Sequence, residues 1–126
     1  MRRVRKLLLV EDDVDVAAGL SELLSSEGFD VAVAERGGEA EDLVERFEPD
    51  LVVLDLRLPD LDGNEVRRRL RSRWPQLPIV LSSGNADVQR LEETIDPRVT
   101  AFLAKPYDLD TLLAVIERLC GEEDRT

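Results

Sequence analysis

Acidic residues follow two of the most apolar segments of the chain, and their positions indicate chemistry. Glu11 and Asp12 come directly after residues 7–10, and Asp55 comes directly after residues 51–54. A carboxylate at the end of a buried strand is costly to desolvate unless it is paired, hydrogen-bonded or bound to a metal. Because open α/β sheets bind ligands just outside the carboxyl ends of their strands, we interpret these carboxylates as functional.

If the two strands are neighbours, the three carboxylates meet at one edge of the sheet. Two charges about 4 Å apart repel each other by roughly 4 kcal/mol at an effective dielectric constant of about 20, so such a cluster requires a cation. The chain has no histidine and a single cysteine, which leaves oxygen ligands and favours Mg²⁺. The lack of histidine also excludes Ser–His–Asp and Cys–His catalysis.

Two other apolar segments end in groups that complement the carboxylates. Lys105 follows residues 101–104, and Ser82 and Ser83 end the run that begins at residue 79. An ammonium group can neutralise a carboxylate or hold a phosphate oxygen, and a hydroxyl can donate to the same oxygen. A metal, a carboxylate, a hydroxyl and an ammonium together fit phosphoryl transfer to an aspartate.

The elements that must position these residues alternate between strands and helices. Apolar patterns predict strands over residues 6–10, 29–34, 51–55, 79–82 and 101–104. Helical spacing predicts five helices, the first over residues 14–27 and the others around residues 40–47, 66–74, 88–95 and 109–119. This alternation favours a parallel sheet covered by helices on both faces, with right-handed crossovers.

Length and composition indicate one domain over residues 1–126, with a core at about residues 5–120 and an acidic tail at residues 121–126. No apolar run approaches the ~20 residues that cross a bilayer, so we expect no membrane contact. A lone cysteine, Cys120, fits a reducing compartment, and we expect a cytoplasmic protein.

The net charge is −11, which disfavours direct binding to nucleic acid. Five arginines nevertheless crowd the third predicted helix. They are Arg67, Arg68, Arg69, Arg71 and Arg73. We interpret them as a solvated helix face with acidic neighbours in preference to a docking patch.

Taken in chain order, the motifs resemble those of the receiver domain of response regulators in two-component signalling, over nearly the full length. The matching motifs are Glu11-Asp12, Asp55, Leu58-Pro59, Asp62-Gly63, Ser83-Gly84 and Lys105-Pro106. The resemblance implies a flavodoxin-like (βα)5 fold similar to that of chemotaxis regulators. It is a doubly wound α/β sandwich around a five-stranded parallel sheet in the order 2-1-3-4-5.

The resemblance also implies a role for each site residue. Asp55 would accept a phosphoryl group from a histidine kinase or a histidine phosphotransfer protein. Asp12, Asp55 and the backbone carbonyl of Arg57 would bind Mg²⁺, and Glu11 would assist through a water. The protein would therefore be a signalling switch that catalyses only its own phosphorylation and dephosphorylation.

Four further positions complete the implied switch. Ser83 would donate a hydrogen bond to the phosphoryl group, and Lys105 would pair with it. Phe102 occupies the position of the family's switch aromatic, and Pro106 would follow a cis peptide bond. Arg57 and Asn85 stand at variable positions near the site and would influence how fast the phosphoryl group is gained and lost.

The resemblance implies an output through a downstream protein or a fused domain, and both a stand-alone receiver and part of a longer protein remain open. The fourth helix, fifth strand and fifth helix would form the signalling surface or a homodimer interface. Candidate residues there are Arg90, Glu92, Glu93, Tyr107 and Asp110.

Two other functional classes are alternatives to a phosphorylated switch. A phosphorylation-independent interaction module would not need the complete set of site residues. An aspartate-nucleophile phosphatase requires a second aspartate two residues after the nucleophile, and in this chain that position is Arg57. A flavin or dinucleotide protein is disfavoured because no glycine-rich loop follows the first strand. Asp55, Glu11, Ser83 and Lys105 also have purely structural interpretations as caps, loop groups or solvated side chains.

Overall fold

The computed structural model describes residues 6–84 and 96–120. Within these two ranges there are five strands, β1 (Lys6–Val10), β2 (Asp30–Ala34), β3 (Leu51–Asp55), β4 (Ile79–Ser83) and β5 (Thr100–Ala104). The helices are α1 (Val14–Ser26), α2 (Ala40–Phe47), α3 (Gly63–Arg73) and a C-terminal helix (Leu109–Cys120), with a 3-10 turn at Gly37–Glu39. The fourth predicted helix and the acidic tail lie outside the described residues.

The strands form one parallel sheet in the order β2-β1-β3-β4-β5, which confirms the predicted fold. β3 lies between β1 and β4, and all five of its residues are buried. The chain order reverses direction between β1 and β3, so the carboxyl ends of these two strands border the crevice where doubly wound sheets bind their ligands.

Alternate residues of the central strands point to opposite faces of the sheet and build two cores. On one face Leu8 and Leu54 pack with residues of α2 and α3. On the other face Leu9 and Val53 pack with α1 and the C-terminal helix. Both faces of the sheet are therefore dry, which explains why the strand sequences read as continuous apolar runs.

Local signals at the helix ends explain where α1 begins and ends. The carboxylate of Asp13 accepts hydrogen bonds from the amides of Asp15 and Val16 and caps the first turn. Gly28 follows the last turn with a φ of 101°, the left-handed conformation that glycine adopts without strain. Within α1 the buried positions are Ala17 and Leu24, not their apolar neighbours.

Candidate functional site

Three strand ends bring together the charged residues that the sequence singled out. Glu11 follows β1, Asp55 ends β3 and Lys105 follows β5. The Nζ atom of Lys105 lies 2.9 Å from Oδ2 of Asp55 and 3.2 Å from Oε1 of Glu11. Glu11 and Asp55 are 4% and 5% exposed, so this lysine supplies the positive charge that two desolvated carboxylates require.

Asp12 adds a third carboxylate to the cluster. One carboxylate oxygen each from Glu11, Asp12 and Asp55 lie within 4.8 Å of one another. Asp12 is exposed, so this side of the cluster faces solvent and can admit a hydrated ion. Carboxylate oxygens with access to water are the donor set that Mg²⁺ prefers, and the cluster therefore fits this ion.

The backbone around Asp55 holds its carboxylate in place. Oδ1 of Asp55 accepts a hydrogen bond of 3.0 Å from the amide of Arg57, while Leu56 donates to the carbonyl of Ser82. Gly63 begins α3 so close to the strand end that a Cβ atom there would lie 2.4 Å from the carbonyl oxygen of Asp55. The glycine of the Asp62-Gly63 motif thus allows α3 to start directly against the strand that carries Asp55.

Burial and charge act on the ionisation of the cluster. Burial raises the pKa of Glu11 above its ordinary value of 4.5, and the amide of Asp13 and the charge of Lys105 oppose this only in part. For Lys105, burial acts to lower the pKa. The hydrogen bond to Asp55 and the charges of Asp55 and Glu11 outweigh it and leave the pKa raised. The carboxylates of the site therefore repel one another in a partly desolvated place, and a divalent cation or the protonated lysine offsets this repulsion.

A cleft of about 400 Å³ adjoins the carboxylates. Besides the carboxylates and Lys105, its lining includes Arg57, Ser83 and Val16. Of the groups that the sequence analysis assigned to phosphoryl transfer, the carboxylates, Ser83 and Lys105 line this cleft, whereas Ser82, Phe102 and Pro106 do not.

The remaining candidates lie on β4, β5 and the turn after β5. Ser83 ends β4 opposite Ala104, and its carbonyl accepts the amide of Lys105 at 2.9 Å. Phe102 is partly buried and packs against the core on the α2 and α3 side. The peptide bond between Lys105 and Pro106 is cis.

The surface that the sequence analysis assigned to signalling is described only in part. Asn85, Arg90, Glu92 and Glu93 lie outside the described residues. Tyr107 and Asp110 are described, the first partly buried and the second exposed.

Three of the five arginines of α3 follow the preferred interpretation, whereas Arg67 is partly buried and donates to Oδ1 of Asn64 at 2.8 Å. Arg68 and Arg69 form ion pairs with Glu65, and Arg73 pairs with two acidic residues of α2, Glu41 and Glu45. These pairs are exposed helix-surface contacts, as the acidic neighbours indicated.

Arg71 differs, and its assignment to a solvated face was wrong. Its guanidinium donates to the carbonyls of Trp74, Leu77 and Val99 and to Oγ1 of Thr100 at 2.9 Å. It therefore joins the end of α3 to the beginning of β5. Contacts with backbone carbonyls distant in sequence leave no periodic signal, so the pattern of charges could not reveal them.

No helix among residues 6–84 and 96–120 combines the length and apolar character that a bilayer span requires.

Comparisons with known proteins agree with this geometry. Response regulator MprA of Mycobacterium leprae is 40% identical over 114 residues, which cover 90% of this chain and 50% of that protein. Cell cycle transcriptional regulator CtrA of Caulobacter vibrioides is 35% identical over 111 residues, covering 88% of this chain and 48% of that protein. The chain thus spans about half the length of the curated relatives it matches.

Solved structures show the same fold over almost the whole chain. The signal receiver domain of a signal transduction histidine kinase from Syntrophus aciditrophicus has a TM-score of 0.82 at 28% identity, covering 97% of this chain and 94% of that one. A CheY-like receiver domain protein from Methanospirillum hungatei has a TM-score of 0.80 at 26% identity, covering 98% and 100%. The family model for the response regulator receiver domain matches residues 7–117. This chain therefore belongs to the response regulator receiver domains, the signalling switches of two-component systems.

Proposed function

We propose that this receiver domain accepts a phosphoryl group on Asp55 in a Mg²⁺-dependent reaction and changes conformation to signal to a partner. One observation carries the proposal: the Lys105 ammonium lies within hydrogen-bond distance of both Asp55 and Glu11, beside a third carboxylate. Asp55 thus has a positive charge at hydrogen-bond distance and further carboxylates close by, which together could hold a cation. Such a carboxylate can act as a nucleophile toward phosphorus.

The chemistry follows from the atoms around Asp55. One carboxylate oxygen attacks the phosphorus of a phosphohistidine, forming a P–O bond while the P–N bond breaks and the imidazole leaves. Glu11, Asp12, Asp55 and the carbonyl of Arg57 would hold Mg²⁺, which neutralises the transferring phosphoryl oxygens when bound. The Asp55 side chain is already oriented by the amide of Arg57, so little reorganisation precedes the attack.

Ser83 and Lys105 would stabilise the product. Both line the same cleft as Asp55, and Lys105 already contacts the carboxylate that would become phosphorylated. A new dianionic group gives the lysine a stronger partner and gives the serine hydroxyl an acceptor. Because Ser83 lies on β4 and Phe102 on the neighbouring strand β5, movement of the serine would let the phenyl ring repack and carry the signal.

Intact-mass measurement tests this function directly. The wild-type protein is incubated with Mg²⁺ and a small phosphodonor such as acetyl phosphate, and we expect the addition of one phosphate. Asp55→Asn should take up none, while Asp96→Asn, which changes an exposed carboxylate at the other end of the sheet, should behave as the wild type. Labelling that survives in Asp55→Asn would place the acceptor elsewhere, and no labelling of the wild type would favour a phosphorylation-independent module.

The partners are proposed on the same basis. A histidine kinase or a histidine phosphotransfer protein would supply the phosphoryl group, and a downstream protein or a fused output domain would receive the signal. β5 and the C-terminal helix, with the segment before them, would form the output or homodimer surface. The net charge of −11 disfavours direct contact with nucleic acid, and the buried thiol of Cys120, the single cysteine of the sequence, fits a cytoplasmic location.

A further inference from the structure

Asp60 connects the segment after Asp55 to a different part of the chain. Its Oδ1 accepts a hydrogen bond of 2.8 Å from the amide of Gly37, and its Oδ2 accepts one of 2.9 Å from the amide of Gly38. The two segments are 23 and 22 residues apart in sequence. Both oxygens of one exposed carboxylate are thus used on consecutive backbone amides.

This contact acts as a helix cap supplied from a distance. Gly37 and Gly38 begin the 3-10 turn at Gly37–Glu39, whose preceding residue, Arg36, makes no side-chain capping bond. Amides at the beginning of a helical turn have no partner within the turn and favour an anion. The amide of Gly38, followed by that of Gly37, lowers the pKa of Asp60, so its carboxylate is ionised at neutral pH.

Apolar contacts reinforce the same attachment. A Cβ atom at Gly37 would lie 2.8 Å from the side chain of Val66 and 3.2 and 3.3 Å from Leu61 and Leu58. The backbone at Gly37 therefore packs directly onto side chains of the loop that carries Asp60 and of α3. The tip of the loop over residues 56–62 is held to the 3-10 turn by two hydrogen bonds and by several apolar contacts.

The base of this loop belongs to the candidate metal site. Arg57 and Asp62 form a β-bridge across it, and the amide of Gly63 donates to the carbonyl of Leu56 at 2.8 Å. Arg57 also donates its amide to Asp55. Its own carbonyl is the backbone ligand that the proposed function assigns to Mg²⁺. A shift of the loop tip would therefore be transmitted to a ligand of the metal through a short, bridged loop.

We propose that Asp60 is a positioning residue for the metal site, holding the loop that presents the Arg57 carbonyl by binding the amides of Gly37 and Gly38. The inference rests on the proposed function. Asp60 is exposed and does not line the cleft, but under this proposal it contributes to the affinity for Mg²⁺.

Calorimetric titration of Mg²⁺ into the metal-free protein tests the role. Asp60→Ala should raise the dissociation constant for Mg²⁺ about tenfold, the low end of what loss of a group behind a metal ligand causes. Asp60→Asn keeps one carbonyl oxygen and should fall between wild type and Asp60→Ala. Phosphate uptake at saturating Mg²⁺ should stay within about twofold of wild type, because the defect lies in metal affinity.

Asp96→Ala is the matched control because it removes the same charge from an exposed aspartate whose side chain, among the described residues, hydrogen-bonds to the amide and guanidinium of Arg98. Equal weakening by Asp60→Ala and Asp96→Ala would reduce the effect to net charge and overturn the proposal. So would an unchanged Mg²⁺ affinity in Asp60→Ala.

Amide hydrogen exchange in the metal-free protein provides a second measurement. Asp60→Ala and Asp60→Asn should accelerate exchange at Gly37, Gly38 and Arg57 but not at residues of β5. Faster exchange confined to Gly37 and Gly38 would show a local cap without transmission and would overturn the positioning role. A wild-type protein that binds no Mg²⁺ would instead refute the proposed function. If the wild type binds Mg²⁺ and the Asp60 variants show no defect, only the positioning role of Asp60 is refuted and the proposed function stands.

Discussion

Lys105 and Asp55 are in direct contact, with the ammonium nitrogen 2.9 Å from the carboxylate oxygen Oδ2, although 50 residues separate them in sequence. The same ammonium contacts Glu11, so a single side chain balances two buried carboxylates. Mg²⁺ at this cluster would take over part of that task. The lysine is then available to the phosphoryl group, which links metal binding to the position of Lys105.

Lys105→Ala should destabilise the metal-free protein and make Mg²⁺ more stabilising than it is in wild type. Removal of one partner from a fully buried ion pair costs roughly 3–5 kcal/mol. Because the lysine side chain is 34% exposed, we expect about 1–3 kcal/mol. Urea unfolding with and without Mg²⁺ measures both effects.

Arg98→Ala removes the same charge from an exposed pair and should leave the stability nearly unchanged. Equal responses of Lys105→Ala and wild type to Mg²⁺ would contradict a shared electrostatic role for the lysine and the metal.

Gly63→Ala should damage the acceptor site. The added Cβ would lie 2.4 Å from the carbonyl oxygen of Asp55 and from Cα of Leu56, and backbone atoms cannot turn aside as a side chain can. We expect a loss of about 1–3 kcal/mol in unfolding free energy and slower phosphate uptake.

Gly19→Ala is its counterpart, because a Cβ there meets nothing within 4 Å and the position lies inside α1. It should stabilise the protein by about 0.5–1 kcal/mol without affecting uptake. Thermal unfolding and intact-mass kinetics of the two variants would reveal any departure from these opposite signs.

Arg71→Met should destabilise the fold without touching the acceptor site. The substitution leaves the carbonyl of Leu77 and the buried hydroxyl of Thr100 without their guanidinium donor, at an expected cost of about 2–3 kcal/mol. Arg69→Met breaks an exposed pair with Glu65 and should cost less than about 0.5 kcal/mol. Similar urea midpoints for the two variants would argue against the inter-element role of Arg71.

Asp108 should make part of the stability dependent on pH. The amide and then the hydroxyl of Thr111 donate to its carboxylate at the start of the C-terminal helix and lower its pKa from the ordinary 3.8. A depressed acid pKa gives stability that is present above pH 3.8 and lost as the pH falls through the lower, folded value.

Asp108→Asn cannot ionise, so the stability difference between wild type and this variant should shrink as the pH is lowered from 7 through this window. Unfolding in urea at a series of pH values measures the difference. A constant difference at all pH values would show that the charge of Asp108 contributes nothing.

The strand sequences predicted the sheet closely because both of its faces are dry. Predicted and observed ends of β3 coincide, and β4 extends one residue beyond its prediction to Ser83. The helices were less fully specified. Val16 and Leu23 have the spacing of a buried stripe but are 47% and 48% exposed, because α1 turns the adjacent Ala17 and Leu24 toward the sheet.

The candidate site was accessible from sequence because each of its groups directly follows or ends a strand, where topology alone decides proximity. The roles of Arg71 and Asp60 were not. Both side chains bind backbone atoms of segments remote in sequence, and a backbone amide or carbonyl has no residue type by which to recognise it. Asp60 in particular stands after a proline in an ordinary turn sequence.

The contact between Lys105 and Glu11 spans 94 residues, nearly the whole domain. A chain fragment that lacks Glu11 or Lys105 cannot form this contact. Neither can a nascent chain whose last strand has not yet been synthesised. Competence to be labelled would thus appear only after the final strand has docked, a late event in a topology dominated by distant pairings. Phosphate uptake would then double as an assay of complete folding.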